Sequence, residues 1–266
     1  MRRMLNGNKL RFILSAGRTG TVFLSQSMGM LFPQHQIVHE PKSSRRMFMA
    51  YNAEMAGLLP TGTARSIFVR NRTRVIEQIP ENCVRLELNP FLHPLAPSLH
   101  ELVSPLHVVH LVRDARSWIE SIVNFGASGW KKHIIEFLPF ARTIPDQVRK
   151  EWRRLDTIGK FAWRWRMAND QILTVLNHTD NYRIIRFEDL FGSDDENVSD
   201  AFSSLISILP GSATGSTDDL PWLKKANRSE RRIVNSWQSW PNSTKAQVDD
   251  ICGELLLRFG YVATSK

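Results

Sequence analysis

The chain has 266 residues, of which 42% are hydrophobic and 23% charged, and it carries a net charge of +9. That size suits one globular α/β domain spanning 1–266. No run approaches the roughly 18 apolar residues of a membrane helix. The positive balance favours acidic ligands, such as phosphates or sulfated sugars, and permits peripheral contact with an anionic membrane; no nucleic acid is expected, because no reader motif accompanies the charge. Met4-Leu5 gives way to Asn-Gly-Asn, so no signal-peptide core is present, and the expected location is cytoplasmic. The N-x-[ST] triplets at Asn71, Asn177, Asn197, Asn227 and Asn242 are then chance occurrences.

In chain order, the first predicted strand is Leu10–Ser15, apolar from Phe12 to Leu14. It breaks into Ala16-Gly17-Arg18-Thr19-Gly20-Thr21, and a helical pattern runs over Gly20–Leu31. A strand that turns into a helix N-terminus aims backbone N–H groups and a positive dipole end at one point, which suits a phosphate or sulfate. Arg18 adds a permanent forked cation. The turn lacks the Walker form: Ser15 stands at the first glycine, and Thr21 rather than lysine follows Gly20. A turn that merely connects strand to helix is the plain alternative.

A second strand, Gln36–His39, ends at His39-Glu40-Pro41, on the carboxyl edge where a doubly wound sheet places its ligands. Pro41 is expected to keep Glu40 extended and to stop the ladder there. A helix over Ser43–Leu58, strands over Ser66–Val69 and Val84–Leu88, and a helix over Pro97–Val103 follow. The run Leu106–Val112 is apolar enough for a strand buried on both faces, assigned to His107–Val112. Within it His107 and His110 are expected to be packed or satisfied by neighbours. Next come Arg113-Asp114 and a helix over Ala115–Phe125, with Asp114 as cap and Ser117-x-x-Glu120 as a capping box one turn later. Arg113 leaves the strand end and Ser121 emerges from the second helical turn, so both can reach one phosphate. Arg116 either assists them or faces solvent. A magnesium-binding Walker B strand is the competing reading.

From Ile144 to His178 the pattern is helical, with a break near Gly159 and with Phe161, Trp165, Ala168, Ile172 and Val175 on one face. The tryptophans there are read as core and the arginines as solvated. A strand over Tyr182–Phe187 precedes Glu188-Asp189-Leu190. Gly211–Asp219 is a mobile loop, and a last helix carries Val248, Ile251, Cys252, Leu255 and Phe259 before Gly260, a left-handed terminator. Cys83, in a strand, and Cys252 are expected to be buried free thiols. The alternation of strands and helices implies an α/β fold, a doubly wound parallel sheet with helices on both faces.

Arg18-Thr19-Gly20-Thr21 resembles the 5′-phosphosulfate loop of sulfotransferases that use 3′-phosphoadenosine 5′-phosphosulfate (PAPS). Arg113-Asp-Ala-Arg-Ser-Trp-Ile-Glu-Ser121 resembles their 3′-phosphate motif, with the eight-residue step from arginine to serine kept and Ala115 in place of proline. Phe187-Glu-Asp-Leu is similar to their segment after the last core strand. The likeness, to bacterial and carbohydrate-type members, spans roughly 10–261. It implies a P-loop-like fold, PAPS as donor, adenosine 3′,5′-bisphosphate (PAP) as product and no metal. It further implies donor contacts from Arg18, Thr19, Gly20, Thr21, Val22 and Phe23, then Arg113 and Ser121, with Phe187 at the adenine unless it is plain core. Val22 departs from the pattern, which usually has a second hydroxyl. Asn227 and Arg228 would belong to a basic loop over the 3′-phosphate, or to a solvated charge run. Glu40 is the candidate general base and His39 its runner-up, with a structural role for both as the alternative; Arg18 would stabilise the leaving phosphate. The acceptor is expected to be a small molecule, glycan or lipid, with Phe125–Phe140 as a greasy lid or a buried connection. Two rivals are a magnesium-dependent kinase with a degenerate loop and a bisphosphate-binding module without turnover.

Overall fold

The computed structural model describes residues 4–125, 144, 148–192, 195–214 and 234–262. Asn227 and Arg228, the lid candidate beyond Phe125 and the Gly211–Asp219 loop beyond residue 214 lie outside them.

Five parallel strands form the main sheet: β2 (Leu10–Leu14), β3 (Gln36–His39), β4 (Arg85–Leu88), β6 (Val108–Val112) and β7 (Tyr182–Arg186), in the order β3-β4-β2-β6-β7. The central strand β2 pairs Phe12 with Val108 on one side and Ile13 with Leu88 on the other. Every residue of β2 and β6 is buried, which explains why their sequences are apolar except for Arg11 and His110. Leu10, Phe12 and Leu14 face one core cluster, and Ile13 faces another. Helices α2 (Lys42–Met55), α3 (Thr63–Ile76), α5 (Ala115–Phe125), α6 (Thr157–Leu173) and α9 (Asn242–Arg258) pack the first. The second is covered by α1 (Thr21–Leu31) and α8 (Asp195–Ile206). The doubly wound arrangement expected from the sequence is therefore present. The chain crosses from β2 to one edge and back, then builds outward on the other side, which opens a crevice at the carboxyl ends of β2 and its neighbours.

Several expectations change. Ser66–Val69 is not a strand but the interior of α3, where Ala64, Phe68 and Arg72 are buried at a four-residue period. That period outweighs the local β-branched run, and Glu54 caps the helix by accepting the Gly62 N–H at 2.8 Å. Pro97–Val103 is 3-10 turns over Pro90–Ser98 followed by the short α4 (Leu99–Leu102), because Pro94 and Pro97 cannot sustain an α-helix. A two-residue ladder between β1 (Leu5–Asn6) and β5 (Val103–Ser104) was not expected. The long helical stretch begins only at Thr157, capped by Asp156 Oδ1 accepting the Gly159 N–H at 2.7 Å, and its last turn relaxes to 3-10 over Thr174–His178. Cys83 is partly exposed and lies before β4 rather than in a strand. Cys252 is buried as expected, and burial pushes its thiol pKa up.

Glu40 is not extended. Its φ is 43°, in the left-handed region, and its N–H continues the ladder by donating to Leu88 O at 3.1 Å. Proline disfavours the right-handed region for the residue before it. The abrupt entry into α2, with Pro41 at the N-cap, then takes the left-handed alternative.

Candidate functional site

The β2–α1 turn carries three departures from ordinary backbone within four residues. Gly17, Arg18 and Gly20 have φ of 85°, 54° and 74°. Gly20 is required twice over, since a Cβ there would also meet the Phe191 ring at 2.6 Å. α1 begins at Thr21 with no side-chain cap and no acid in its first turn, so its positive end is uncompensated locally. Thr19 is 1% exposed, and its hydroxyl finds no hydrogen-bond partner among the described residues. A buried hydroxyl left unpaired costs free energy that a bound polar ligand would recover.

Two indoles fix the backbone around this turn and its neighbour. Trp118 Nε1 donates to Gly17 O at 2.7 Å, and Trp165 Nε1 donates to Arg113 O at 2.9 Å. The second motif is joined to the first. Arg113 Nη1 donates to Arg18 O at 3.0 Å, while Arg18 Nε donates to Ser121 Oγ at 3.3 Å. Arg18 therefore leans across to α5, with its guanidinium 4.0 Å from the Phe125 ring centre. Arg113 lies 4.4 Å from the centre of Phe187, whose ring packs on Phe191 at 4.7 Å. Burial lowers the pKa of Arg113, and burial together with the Arg113 charge lowers that of Arg18. Burial and the repulsion of Arg113 disfavour the charge on Arg18, a cost that a bound anion would relieve, while Glu188, Glu120 and Asp114 already offset part of the burial of Arg113.

Val22 and Phe23 belong to the first turn of α1. Phe23 turns its ring into the core against Phe191 at 5.6 Å, which leaves its backbone for any ligand. Asp114 caps α5, accepting the Arg116 N–H at 2.8 Å. The second capping box does not form: Ser117 Oγ donates to Asp114 O and accepts from Arg113 Nε at 3.0 Å. Glu120 instead accepts the Trp237 N–H at 3.3 Å. Arg116 neither faces solvent nor stands free for a phosphate; it is 4% exposed and forks onto Asp114 at 3.0 and 2.6 Å.

The β3 end reaches the same loop. His39 Nε2 lies 3.0 Å from Thr21 Oγ1 and 3.8 Å from Glu40 Oε1. Burial lowers the His39 pKa, against the opposing pull of Glu40. Glu40 Oε2 accepts from Arg45 Nη2 at 3.2 Å. His110 is satisfied in the core. Asn169 gives its amide N–H to Trp165 O, so its oxygen accepts from His110 Nε2 at 2.8 Å, and His110 Nδ1 accepts from Tyr182 OH at 2.7 Å.

Sequence reasoning missed two participants. Arg45 becomes visible only once Pro41 is seen to start α2, placing it beside Glu40. Glu188 lay in a quoted motif without a role. It accepts from Tyr261 OH at 2.6 Å and from the Asp114 N–H at 3.2 Å, tying the chain end to the Arg113 turn. Among the described residues no group of three or more His, Cys, Asp or Glu is placed to hold a metal, and no helix is long and apolar enough to cross a membrane.

No protein-family model matches the sequence, and no curated protein matches it. Solved structures do. The chain is similar to the sulfotransferase domain from the curacin biosynthetic pathway, with a TM-score of 0.56, 14% identity, and 98% of this chain and 99% of that one covered. It is also similar to the sulfotransferase domain from the Synechococcus PCC 7002 olefin synthase, with a TM-score of 0.52, 14% identity and 96% of each chain covered. At such identity the likeness carries the architecture, and the architecture of this chain is the P-loop-like α/β fold of sulfotransferase domains.

Proposed function

We propose that this chain is a sulfotransferase that moves a sulfuryl group from PAPS to an acceptor hydroxyl, with a carbohydrate or glycolipid as the preferred acceptor class and PAP as the product. The observation that carries the reading is the interlock of the two motifs: Arg113 bonded to Arg18 O, and Arg18 bonded to Ser121. Residues 95 and 103 apart in sequence meet where two adjacent strands give way to helices, as a ligand with phosphate at two positions requires.

The residues present fit such a donor. The unpaired Thr19 hydroxyl, the left-handed Gly17-Arg18 and Gly20 backbone and the α1 N-terminus suit the phosphosulfate end. Thr21, Val22 and Phe23 would contribute backbone N–H groups there. Arg113 and Ser121 would hold the 3′-phosphate, beside the Phe187 ring for the adenine. Asn227 and Arg228 stay candidates for closing over it. When bound, the donor supplies a sulfuryl group activated by its bridge to phosphate.

The chain's own residues then have three tasks. Arg18 and the helix N-terminus stabilise the charge that gathers on the departing phosphate. The strand tips hold the acceptor oxygen in line. Glu40 takes the acceptor's proton, with His39, fixed by Thr21, beside it as the second candidate.

Titration calorimetry with PAP tests the reading. Binding is expected to be equal with and without EDTA, and to weaken at least about tenfold in Arg18→Ala and in Arg113→Ala, each of which loses a charge-assisted contact. Glu40→Gln should retain PAP affinity while slowing transfer by about 100-fold or more. Magnesium-dependent ATP binding in place of PAP binding would establish the kinase reading instead.

A further inference from the structure

The sulfotransferase reading names the reaction and leaves open what marks its acceptor; the inference drawn next rests on that reading. Glu40, the candidate base, is engaged. One carboxylate oxygen accepts from Arg45 at 3.2 Å, and the other lies 3.8 Å from His39 Nε2. A carboxylate oxygen held by a guanidinium has one lone pair fewer to offer an incoming proton. Arg45 is nevertheless a poor permanent partner: its side chain is 73% exposed, against 24% for Glu40. Exposed pairs of this kind contribute little and exchange readily, because water and salt compete for both partners.

The surroundings of Arg45 point the same way. The first turn of α2 contains no acid, and Lys42 and Arg46 are both exposed beside it. Its guanidinium also lies 5.5 Å from the centre of the Phe91 ring, which meets Phe48 edge-on at 5.5 Å, and both rings are partly exposed. A forked cation over an aromatic face, next to the base, is a surface that can take an oxyanion on a ring-shaped molecule.

We infer that the acceptor is itself anionic, bearing a carboxylate, sulfate or phosphate near the reacting hydroxyl, and that this group takes Arg45 away from Glu40. The released carboxylate accepts the hydroxyl proton as the new O–S bond forms. The old S–O bond breaks with its electron pair going to the leaving phosphate. A neutral acceptor leaves the Glu40–Arg45 pair closed and the base occupied.

Calorimetry on the PAP-saturated protein tests this with three probes: glucuronate, glucose 6-phosphate and glucose. At least one anionic sugar is expected to bind about tenfold or more tightly than glucose. Whichever does so identifies carboxylate or phosphate as the recognised group. Arg45→Ala should erase the preference without changing PAP affinity, whereas Arg46→Ala, which removes the same charge one residue along, should leave it. Equal or absent binding of all three sugars overturns the inference. So does a preference that survives Arg45→Ala, or one lost equally in Arg46→Ala, which would be a bulk charge effect. Failure of the underlying reading is distinguishable, because wild-type protein would then fail to bind PAP before any sugar is added.

Discussion

Thr19 gives the sharpest case at the level of single residues. Its hydroxyl is buried and unpaired among the described residues, so the free protein bears a cost that a bound phosphate would remove. Thr19→Val keeps the shape and deletes the polar atom. It should raise stability of the free protein by about 1 kcal/mol in urea unfolding while weakening PAP about tenfold. A purely structural threonine would not show those opposite signs. The meeting of Arg18, Arg113 and Ser121 was legible because the two arginines follow apolar strand runs and Ser121 lies in the second turn of the helix after Arg113. Arg45 was not, since its position beside Glu40 depends on where Pro41 starts α2 and on the left-handed φ of Glu40. The extended geometry read from Pro41 considered only what proline disfavours, and not the turn the chain must make afterwards.

Among the elements, the two turns proposed to hold the donor are stiffened from behind. Trp118 on α5 and Trp165 on α6 donate to the carbonyls of Gly17 and Arg113. Holding the Gly17 carbonyl inward aims the N–H of the same planar peptide, that of Arg18, the opposite way. Trp118→Phe removes one such bond while leaving an aromatic ring in the core. It should cost about 1–3 kcal/mol of stability in urea unfolding and weaken PAP several-fold, whereas unchanged PAP affinity would show that the pin is dispensable. The core reading of the tryptophans near Trp165 holds for Trp165 itself, whose indole N–H has a second task that spacing does not reveal, whereas Trp152 and Trp163 are only partly buried. Neighbouring arginines are not simply solvated either: Arg166 pairs with Glu254 at 2.8 Å. The strand wrongly assigned at Ser66–Val69 shows the limit of local propensity. Three β-prone residues, Ile67, Phe68 and Val69, look alike in a strand and in a helix whose buried stripe is set by Ala64, Phe68 and Arg72.

For the whole molecule, the sheet was the most legible feature, because buried parallel strands leave nearly continuous apolar runs, broken at β2 and β6 by a single polar residue each. The polar core beneath it was not. Burial holds His93 and His110 down to about 4. In the unfolded chain both titrate near 6.5. Between those values the unfolded state binds more protons, so stability is complete above about pH 6.5 and falls toward pH 4, by roughly 1.4 kcal/mol per pH unit for each histidine. Urea unfolding across that window should show the fall, and a flat profile would contradict the burial of these rings. Glu87 behaves oppositely within the same core. Burial alone would raise its pKa, but Arg72 at 2.6 Å and Arg85 at 2.8 Å hold it below the usual carboxylate range, so its contribution is lost only at still lower pH.

One nucleotide spanning both strand tips is the claim on which the account depends, and a ligand–protein cycle tests it most directly. PAP and adenosine 5′-monophosphate, which lacks the 3′-phosphate, would be titrated into wild type, Arg113→Ala and Thr19→Val. Removing the 3′-phosphate and removing Arg113 should delete the same interaction, so their effects fall well short of adding, while the effect of Thr19→Val is the same on both ligands. Full additivity between Arg113→Ala and loss of the 3′-phosphate would contradict the account, because Arg113 would then be holding something other than that group.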